Sequence, residues 1–152
     1  MKRRILLVDD DLAILLTLKA VLELHEFEVD TANTSAEAFN RLQSGVYQMV
    51  ISDLRMETEE AGLEVLRTAR RQLYNPATAL LTAYPPAGNC GVQDNWRSHS
   101  DSVLIKPLGT KEFLRQVESI LARHAERSYS DDADSIRKKA FPKAQGGKRH
   151  AR

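Results

Sequence analysis

The sequence lacks the features that mark secreted or membrane proteins. Cys90 is the single cysteine among 152 residues, which excludes an intramolecular disulfide framework and fits a reducing compartment. No apolar run approaches the roughly 20 residues that a membrane-spanning helix needs. The apolar stretch at residues 5–8 ends in three aspartates, too early for a secretory signal. We therefore expect a cytoplasmic protein with no membrane contact.

Glycine is scarce as well, with seven residues in the chain. No Gly-x-Gly-x-x-Gly pattern follows the first predicted strand, which argues against a dinucleotide-binding dehydrogenase. The four histidines are scattered, and none lies at metal-ligand spacing from another. Turnover of an external substrate, as by a phosphatase or a dehydrogenase, is therefore the weakest of the functional hypotheses.

Charge divides the chain into two parts. Residues 128–152 hold seven Lys/Arg and three Asp, whereas residues 1–127 hold fifteen basic and eighteen acidic residues. The C-terminal part also has few apolar residues, and it contains Pro142, Gly146 and Gly147. We predict one folded domain over 1–127 and a basic, disordered tail over 128–152. The tail could contact nucleic acid weakly and non-specifically, but no aromatic platform accompanies its charge, so a solvated extension is favoured.

Short apolar runs alternate with helical patterns along the predicted domain. Thr34 followed by Glu37 forms a capping box, and Gly45 ends the helix that it starts. Thr110 caps the last helix. The predicted strands are 4–8, 27–32, 47–52, 77–82 and 103–105, and further helices are expected over about 11–25 and 61–73. This alternation predicts an α/β fold with a five-stranded, doubly wound parallel sheet.

One segment interrupts the alternation. A helix is expected between residues 83 and 102, but the first half of this segment contains two prolines and two glycines. Both residue types disfavour the interior of a helix, which argues against a helix that starts early in this segment. We therefore predict a short or irregular helix in this segment.

Polar residues follow the apolar runs at four strand ends. They are Asp9 and Asp10, Asp53, Thr82 and Lys106. Because parallel strands present their carboxyl ends at one edge of the sheet, where such folds bind ligands, these side chains should meet there.

This combination of groups suits phosphoryl transfer to a carboxylate. Clustered carboxylates repel one another unless a cation is present, and an oxygen-only cluster suits Mg²⁺. A carboxylate can attack a phosphoryl group if the charge on the transferring oxygens is neutralised. Taken singly, each residue could be an ordinary cap, turn or loop residue; the functional interpretation depends on all five occurring in this order.

Four segments resemble the conserved blocks of bacterial response-regulator receiver domains. They are residues 5–11 (ILLVDDD), 49–56 (MVISDLRM), 80–83 (LLTA) and 105–108 (IKPL), and the resemblance covers about residues 3–124. It implies a flavodoxin-like receiver of the stand-alone, chemotaxis-regulator type that signals through contacts with a partner protein. A sensor histidine kinase or phosphotransfer protein would be the phosphoryl donor, and phosphorylation could produce a homodimer.

The resemblance also implies a role for each site residue. Asp53 would be the phosphoacceptor, and Asp9, Asp10, Asp53 and the Arg55 backbone carbonyl would hold Mg²⁺. Thr82 would be the switch hydroxyl and Lys106 the lysine that pairs with the phosphoryl group. The Lys106–Pro107 bond would be cis.

The sequence departs from the family pattern in three places. The loop after Met56 reads ETEEAG instead of beginning with Pro-Gly or similar, which predicts a more acidic and looser loop. Val103 occupies a position where the family commonly has Tyr or Phe, and the segment 83–102 is irregular. These changes motivate an alternative hypothesis, a receiver-fold binding module that acts independently of phosphorylation.

Overall fold

Five parallel strands form the central sheet of the structure, a computed structural model that describes residues 2–58, 60–83, 100–107 and 109–140, the residues 132–140 as helix backbone only. The strands are β1 (Arg3–Val8), β2 (Phe27–Ala32), β3 (Met49–Asp53), β4 (Ala77–Thr82) and β5 (Ser102–Ile105). Their order across the sheet is β2-β1-β3-β4-β5, and all neighbouring pairs are parallel. The predicted doubly wound parallel sheet is confirmed.

The described helices are α1 (Leu12–Leu24), α2 (Ser35–Ser44), α3 (Ala61–Arg70) and α4 (Thr110–Ala140). Helix α2 has the predicted caps, since the Thr34 hydroxyl accepts from the Glu37 amide at 3.1 Å and Gly45 is the C-cap. The Glu37 carboxylate accepts from the Asn33 amide at 3.2 Å. The irregular helix predicted between 83 and 102 falls mostly outside the described residues.

Strand side chains alternate between two hydrophobic clusters, one on each face of the sheet. Ile5 and Leu7 of β1 pack in the cluster that α1 and α4 cover, whereas Leu6 and Val8 pack in the cluster that α2 and α3 cover. Burial on both faces explains why the run is continuously apolar rather than alternating. The helices contribute the inner faces that their spacing predicts, including Leu15, Leu22, Leu42, Leu66, Phe113, Val117 and Ile120.

Helix α3 ends earlier than its apolar spacing predicts. In a helix over 61–73, Leu66, Ala69 and Leu73 would form one apolar stripe, but the helix ends at Arg70 and Leu73 is fully exposed. The Arg71 amide closes the last turn on Thr68 and Ala69 carbonyls. A spacing of three or four residues places side chains on one face only while the helix continues.

Helix α4 continues beyond the predicted domain boundary at residue 127. It spans 31 residues and ends at Ala140, so residues 128–140 are helical rather than disordered. Residues 125–140 contain neither proline nor glycine, and the first helix-breaking residue after them is Pro142. Because this segment has few apolar residues, it lacks the apolar spacing that predicts a packed helix. Its residues nevertheless permit a helix. Residues 141–152 lie outside the described residues. No helix within the described ranges is both long and apolar enough to cross a membrane.

Candidate functional site

Three aspartates converge at the carboxyl edge of the sheet. Asp9 and Asp10 follow β1, and Asp53 ends the adjacent strand β3. One carboxylate oxygen from each lies within 4.8 Å of the others. Asp9 and Asp53 are buried, whereas Asp10 is exposed. The cluster therefore combines two fixed carboxylates with a third that solvent reaches.

Lys106 brings a cation into this cluster from the end of β5. Its Nζ lies 2.9 Å from Asp9 Oδ2 and 3.6 Å from Asp53 Oδ1. The Lys106 amide donates to the Thr82 carbonyl at 2.8 Å, which joins the ends of β4 and β5. The Lys106–Pro107 peptide is cis, as the family resemblance implies.

The electrostatics of the cluster favour additional positive charge. Burial, and then the neighbouring Asp9 carboxylate, raise the pKa of Asp53 to about 6 despite the opposing effect of Lys106. Asp10 is exposed, but partial desolvation at the cluster and then the Asp9 carboxyl also raise its pKa. Burial alone would lower the pKa of Lys106, but Asp9 and Asp53 outweigh it and raise that pKa. One ammonium group is thus insufficient for three carboxylates, and the oxygen-only donor set fits a hard divalent cation such as Mg²⁺.

The other two predicted site residues lie at the same edge. Thr82 ends β4 between β3 and β5 and is buried. Arg55 follows Asp53 by two residues on the loop that leaves β3, and its side chain is exposed. The structure thus brings the predicted carboxylates and lysine into contact, and it places Thr82 and Arg55 on the elements that border them.

A glycine that the sequence analysis gave no role allows α3 to approach this site. A Cβ on Gly62 would lie 1.8 Å from the Asp53 carbonyl oxygen and 2.7 Å from Leu54 Cα. The Gly62 amide donates to the Leu54 carbonyl at 3.1 Å. The first turn of α3 therefore rests directly on the backbone at the end of β3. A glycine near the start of a helix was the one sequence signal for this contact.

The acidic loop after Met56, for which the sequence predicts looseness, contacts the start of α2 through one hydrogen bond. The Ser35 amide, at the start of α2, donates to Glu57 Oε1 at 2.6 Å. The two partners are 22 residues apart, so no local sequence pattern indicates this contact. Val103 also departs from the family pattern. It pairs in register with Leu80 and packs partly buried against the cluster under α2 and α3.

Comparisons with known proteins agree with this architecture. Residues 5–118 match the family model of the response regulator receiver domain. The transcriptional regulatory protein CpxR homolog of Haemophilus influenzae is 32% identical over 125 residues, which are 82% of this chain and 53% of that protein. The chain thus spans about half the length of this curated relative.

Solved structures show the same similarity. A CheY-like receiver domain protein from Methanospirillum hungatei JF-1 matches with a TM-score of 0.73 at 24% identity, over 84% of this chain and 99% of that chain. The response regulator TrrA from Thermotoga maritima, in complex with Mg²⁺-BeF, matches with a TM-score of 0.65 at 32% identity, over 78% of this chain and 98% of that chain. The family model covers most of the sequence, and the chain belongs to the response-regulator receiver domains of two-component systems.

Proposed function

We propose that this receiver accepts a phosphoryl group on Asp53 in a Mg²⁺-dependent reaction. The observation that carries the proposal is the grouping of Asp9, Asp10 and Asp53 within 4.8 Å, with Lys106 Nζ 3.6 Å from Asp53. Asp9, Asp10, Asp53 and the Arg55 carbonyl would hold Mg²⁺, which would neutralise charge on the phosphoryl oxygens. The similarity to TrrA, solved with Mg²⁺-BeF, supports this metal.

Asp53 would carry out the nucleophilic attack, and Lys106 and Thr82 would stabilise charge on the phosphoryl oxygens. An Asp53 oxygen attacks phosphorus and forms an O–P bond as the P–N bond to the donor imidazole breaks and its electron pair leaves with the imidazole. The Lys106 ammonium pairs with one oxygen of the transferred group, and the Thr82 hydroxyl donates to another. Positioning and electrostatics supply most of the catalysis in phosphoryl transfer, so a small domain suffices. Hydrolysis of the acyl phosphate would be the only turnover.

The phosphoryl donor would be a sensor histidine kinase or a phosphotransfer protein in the cytoplasm. The receiver domain would occupy residues 1–127, and residues 128–152 would form a basic extension whose first part is the end of α4. Output would pass through protein contacts, with homodimer formation and weak nucleic-acid contact as further properties to measure. The curated relative is a transcriptional regulator about twice as long, so the activity of a whole regulator would depend on what accompanies this domain.

Labelling by acetyl phosphate tests the acceptor directly. The wild-type chain should acquire an acid-stable, hydroxylamine-sensitive phosphoryl group with Mg²⁺ and none with EDTA. Asp53→Asn should abolish labelling, whereas Asp11→Asn should leave it unchanged because Asp11 caps α1 outside the cluster. Equal absence of label in wild type and Asp53→Asn would refute the proposal.

The phosphorylation-independent alternative predicts a different result in binding assays. A partner should then bind wild type, Asp53→Ala and the phosphorylated chain with the same affinity. A change in affinity on phosphorylation would exclude this alternative.

A further inference from the structure

Glu57 connects the loop beyond the acceptor strand to a neighbouring helix. Its Oε1 accepts from the Ser35 amide at 2.6 Å. Ser35 is the first residue of α2, and Glu57 lies two residues after Arg55. The contact therefore joins the segment that carries the Arg55 carbonyl to an element outside the acidic cluster.

The Ser35 amide at the start of α2 can donate a hydrogen bond to a residue outside the helix. The first amides of a helix have no partner within the helix, and the local caps use others: Thr34 accepts from the Glu37 amide, and the Glu37 carboxylate turns back to Asn33. Glu57 takes the Ser35 amide instead. A carboxylate at this end of a helix is further stabilised by the helix dipole.

Met56 packs partly buried against the cluster under α2 and α3, whereas Glu57, Thr58 and Glu60 beyond it are exposed. A cavity of about 510 Å³, open to solvent, separates the loop from α2, and Thr34, Phe39, Glu57 and Ala61 are among its lining residues. Two backbone hydrogen bonds of the loop, from the Met56 and Ala61 amides to the Thr58 carbonyl, are internal to it. Among the described contacts, the Glu57–Ser35 hydrogen bond is therefore the one that spans from the loop to the start of α2.

We propose that Glu57 is a positioning residue that fixes the Arg55 carbonyl for Mg²⁺ through its bond to α2. This inference rests on the proposed function, since it assigns the support of one proposed metal ligand. Partners that orient metal ligands typically change metal affinity by 10- to 100-fold when removed. Because Glu57 would support only one of the four proposed ligands, we expect a change in Mg²⁺ affinity at the lower end of that range.

Titration of the full chain with Mg²⁺, followed by calorimetry and by amide NMR shifts, tests the proposal. Glu57→Ala should weaken Mg²⁺ binding about tenfold. In acetyl phosphate labelling, it should raise the Mg²⁺ concentration for half-maximal rate by the same factor and leave the rate at saturating Mg²⁺ unchanged. Glu57→Gln keeps a carbonyl acceptor for the Ser35 amide and should restore most of the affinity.

Two variants separate this positioning role from general effects. Glu60→Gln removes a carboxylate from the same loop, and the Glu60 side chain does not cap α3. Thr34→Ala removes the local cap of α2 without touching the loop. The first should show Mg²⁺ affinity close to wild type, and the second should lower the melting temperature with little change in Mg²⁺ affinity.

The outcomes distinguish the inference from the proposed function. If wild type binds Mg²⁺ and Glu57→Ala binds it equally well, the positioning role is wrong and the proposed function stands. If Glu57→Gln loses as much affinity as Glu57→Ala and the loss disappears at high salt, Glu57 acts through charge and the inference also fails. If wild type binds no Mg²⁺, the proposed metal site fails and the inference with it.

Discussion

Lys106 Nζ lies closer to Asp9 Oδ2 (2.9 Å) than to Asp53 Oδ1 (3.6 Å). Without a phosphoryl group, the lysine therefore pairs mainly with a carboxylate of the proposed metal site. Because it is the cation that the described contacts place between the two buried aspartates, it compensates the negative charge of their carboxylates.

Lys106→Met should destabilise the metal-free protein. It removes the charge but keeps a long apolar side chain, and we expect the free energy of unfolding in urea at pH 7.5 with EDTA to fall by about 1–3 kcal/mol. Mg²⁺ should recover part of this loss because it compensates the same carboxylates. Lys111→Met, at an exposed lysine, is the control and should change stability little. Equal stability of Lys106→Met and wild type in EDTA would disprove the compensation.

Much of this site could be predicted from the sequence because it depends on local order along the chain. Each strand ends where an apolar run meets a polar residue, and parallel topology brings those ends to one edge. The positions of Asp9, Asp53 and Lys106 at this edge follow from that rule without further knowledge of tertiary packing. The caps of α2 at Thr34 and Gly45 were predictable for the same reason, since they involve neighbours in sequence.

The features that the sequence did not predict depend on contacts between distant segments. Gly62 contacts the backbone of Asp53, and Glu57 contacts Ser35. In neither case do the neighbouring residues in the sequence identify the contact partner. The helical part of the predicted tail was missed for a different reason. It contains few apolar residues, so the apolar spacing that predicts a helix is absent from the sequence even though the backbone is helical.

Asp53→Asn should stabilise the chain when no metal is present. The folded-state pKa of Asp53 is raised from 3.8 to about 6, so the folded state binds this proton more tightly than the unfolded state. Its ionisation therefore lowers stability as pH rises through about 4 to 6, and the full cost is present above that window. Removing the charge should raise the melting temperature at pH 7.5 in EDTA, by roughly 4 °C for each kcal/mol gained.

The pH dependence of this difference provides the check. Calorimetric melting temperatures of wild type and Asp53→Asn should converge as pH falls from 7.5 towards 4.5, because Asp53 becomes protonated in the wild type. Saturating Mg²⁺ should reduce or reverse the difference at pH 7.5, since the metal favours the ionised carboxylate. A gain from Asp53→Asn that is equal at both pH values would contradict this explanation.

Gly62→Ala should disrupt the junction of α3 with the end of β3. The added Cβ would lie 1.8 Å from the Asp53 carbonyl oxygen, so backbone must move, at a cost of about 3 kcal/mol or more. Gly109→Ala is the matched control, because its Cβ would meet nothing within 4 Å and its φ is not positive. Urea denaturation should show a large loss for the first variant and a change below about 1 kcal/mol for the second. Similar stability of the two variants would show that α3 does not depend on this close approach.

Asp101 anchors α4, just before its extended part, to the amino end of the sheet. Its buried carboxylate accepts from the Thr78 amide at 2.8 Å and lies 3.5 Å from Arg127 and 3.7 Å from His124. Both helix residues precede the part of α4 that was predicted to be disordered. We therefore expect Asp101→Ala to lower the free energy of unfolding by about 2–4 kcal/mol and to reduce protection of the amides after residue 124.

Hydrogen exchange and urea denaturation of Asp101→Ala measure these two effects together. Glu118→Gln is the control, because it breaks an exposed ion pair between the same helix and Arg3, and such pairs contribute about 0–1 kcal/mol. The control should leave exchange after residue 124 unchanged. If the distal amides of α4 exchange at the same rate in wild type and Asp101→Ala, the extension is stable through its own helix propensity, and Asp101 stabilises only the start of β5.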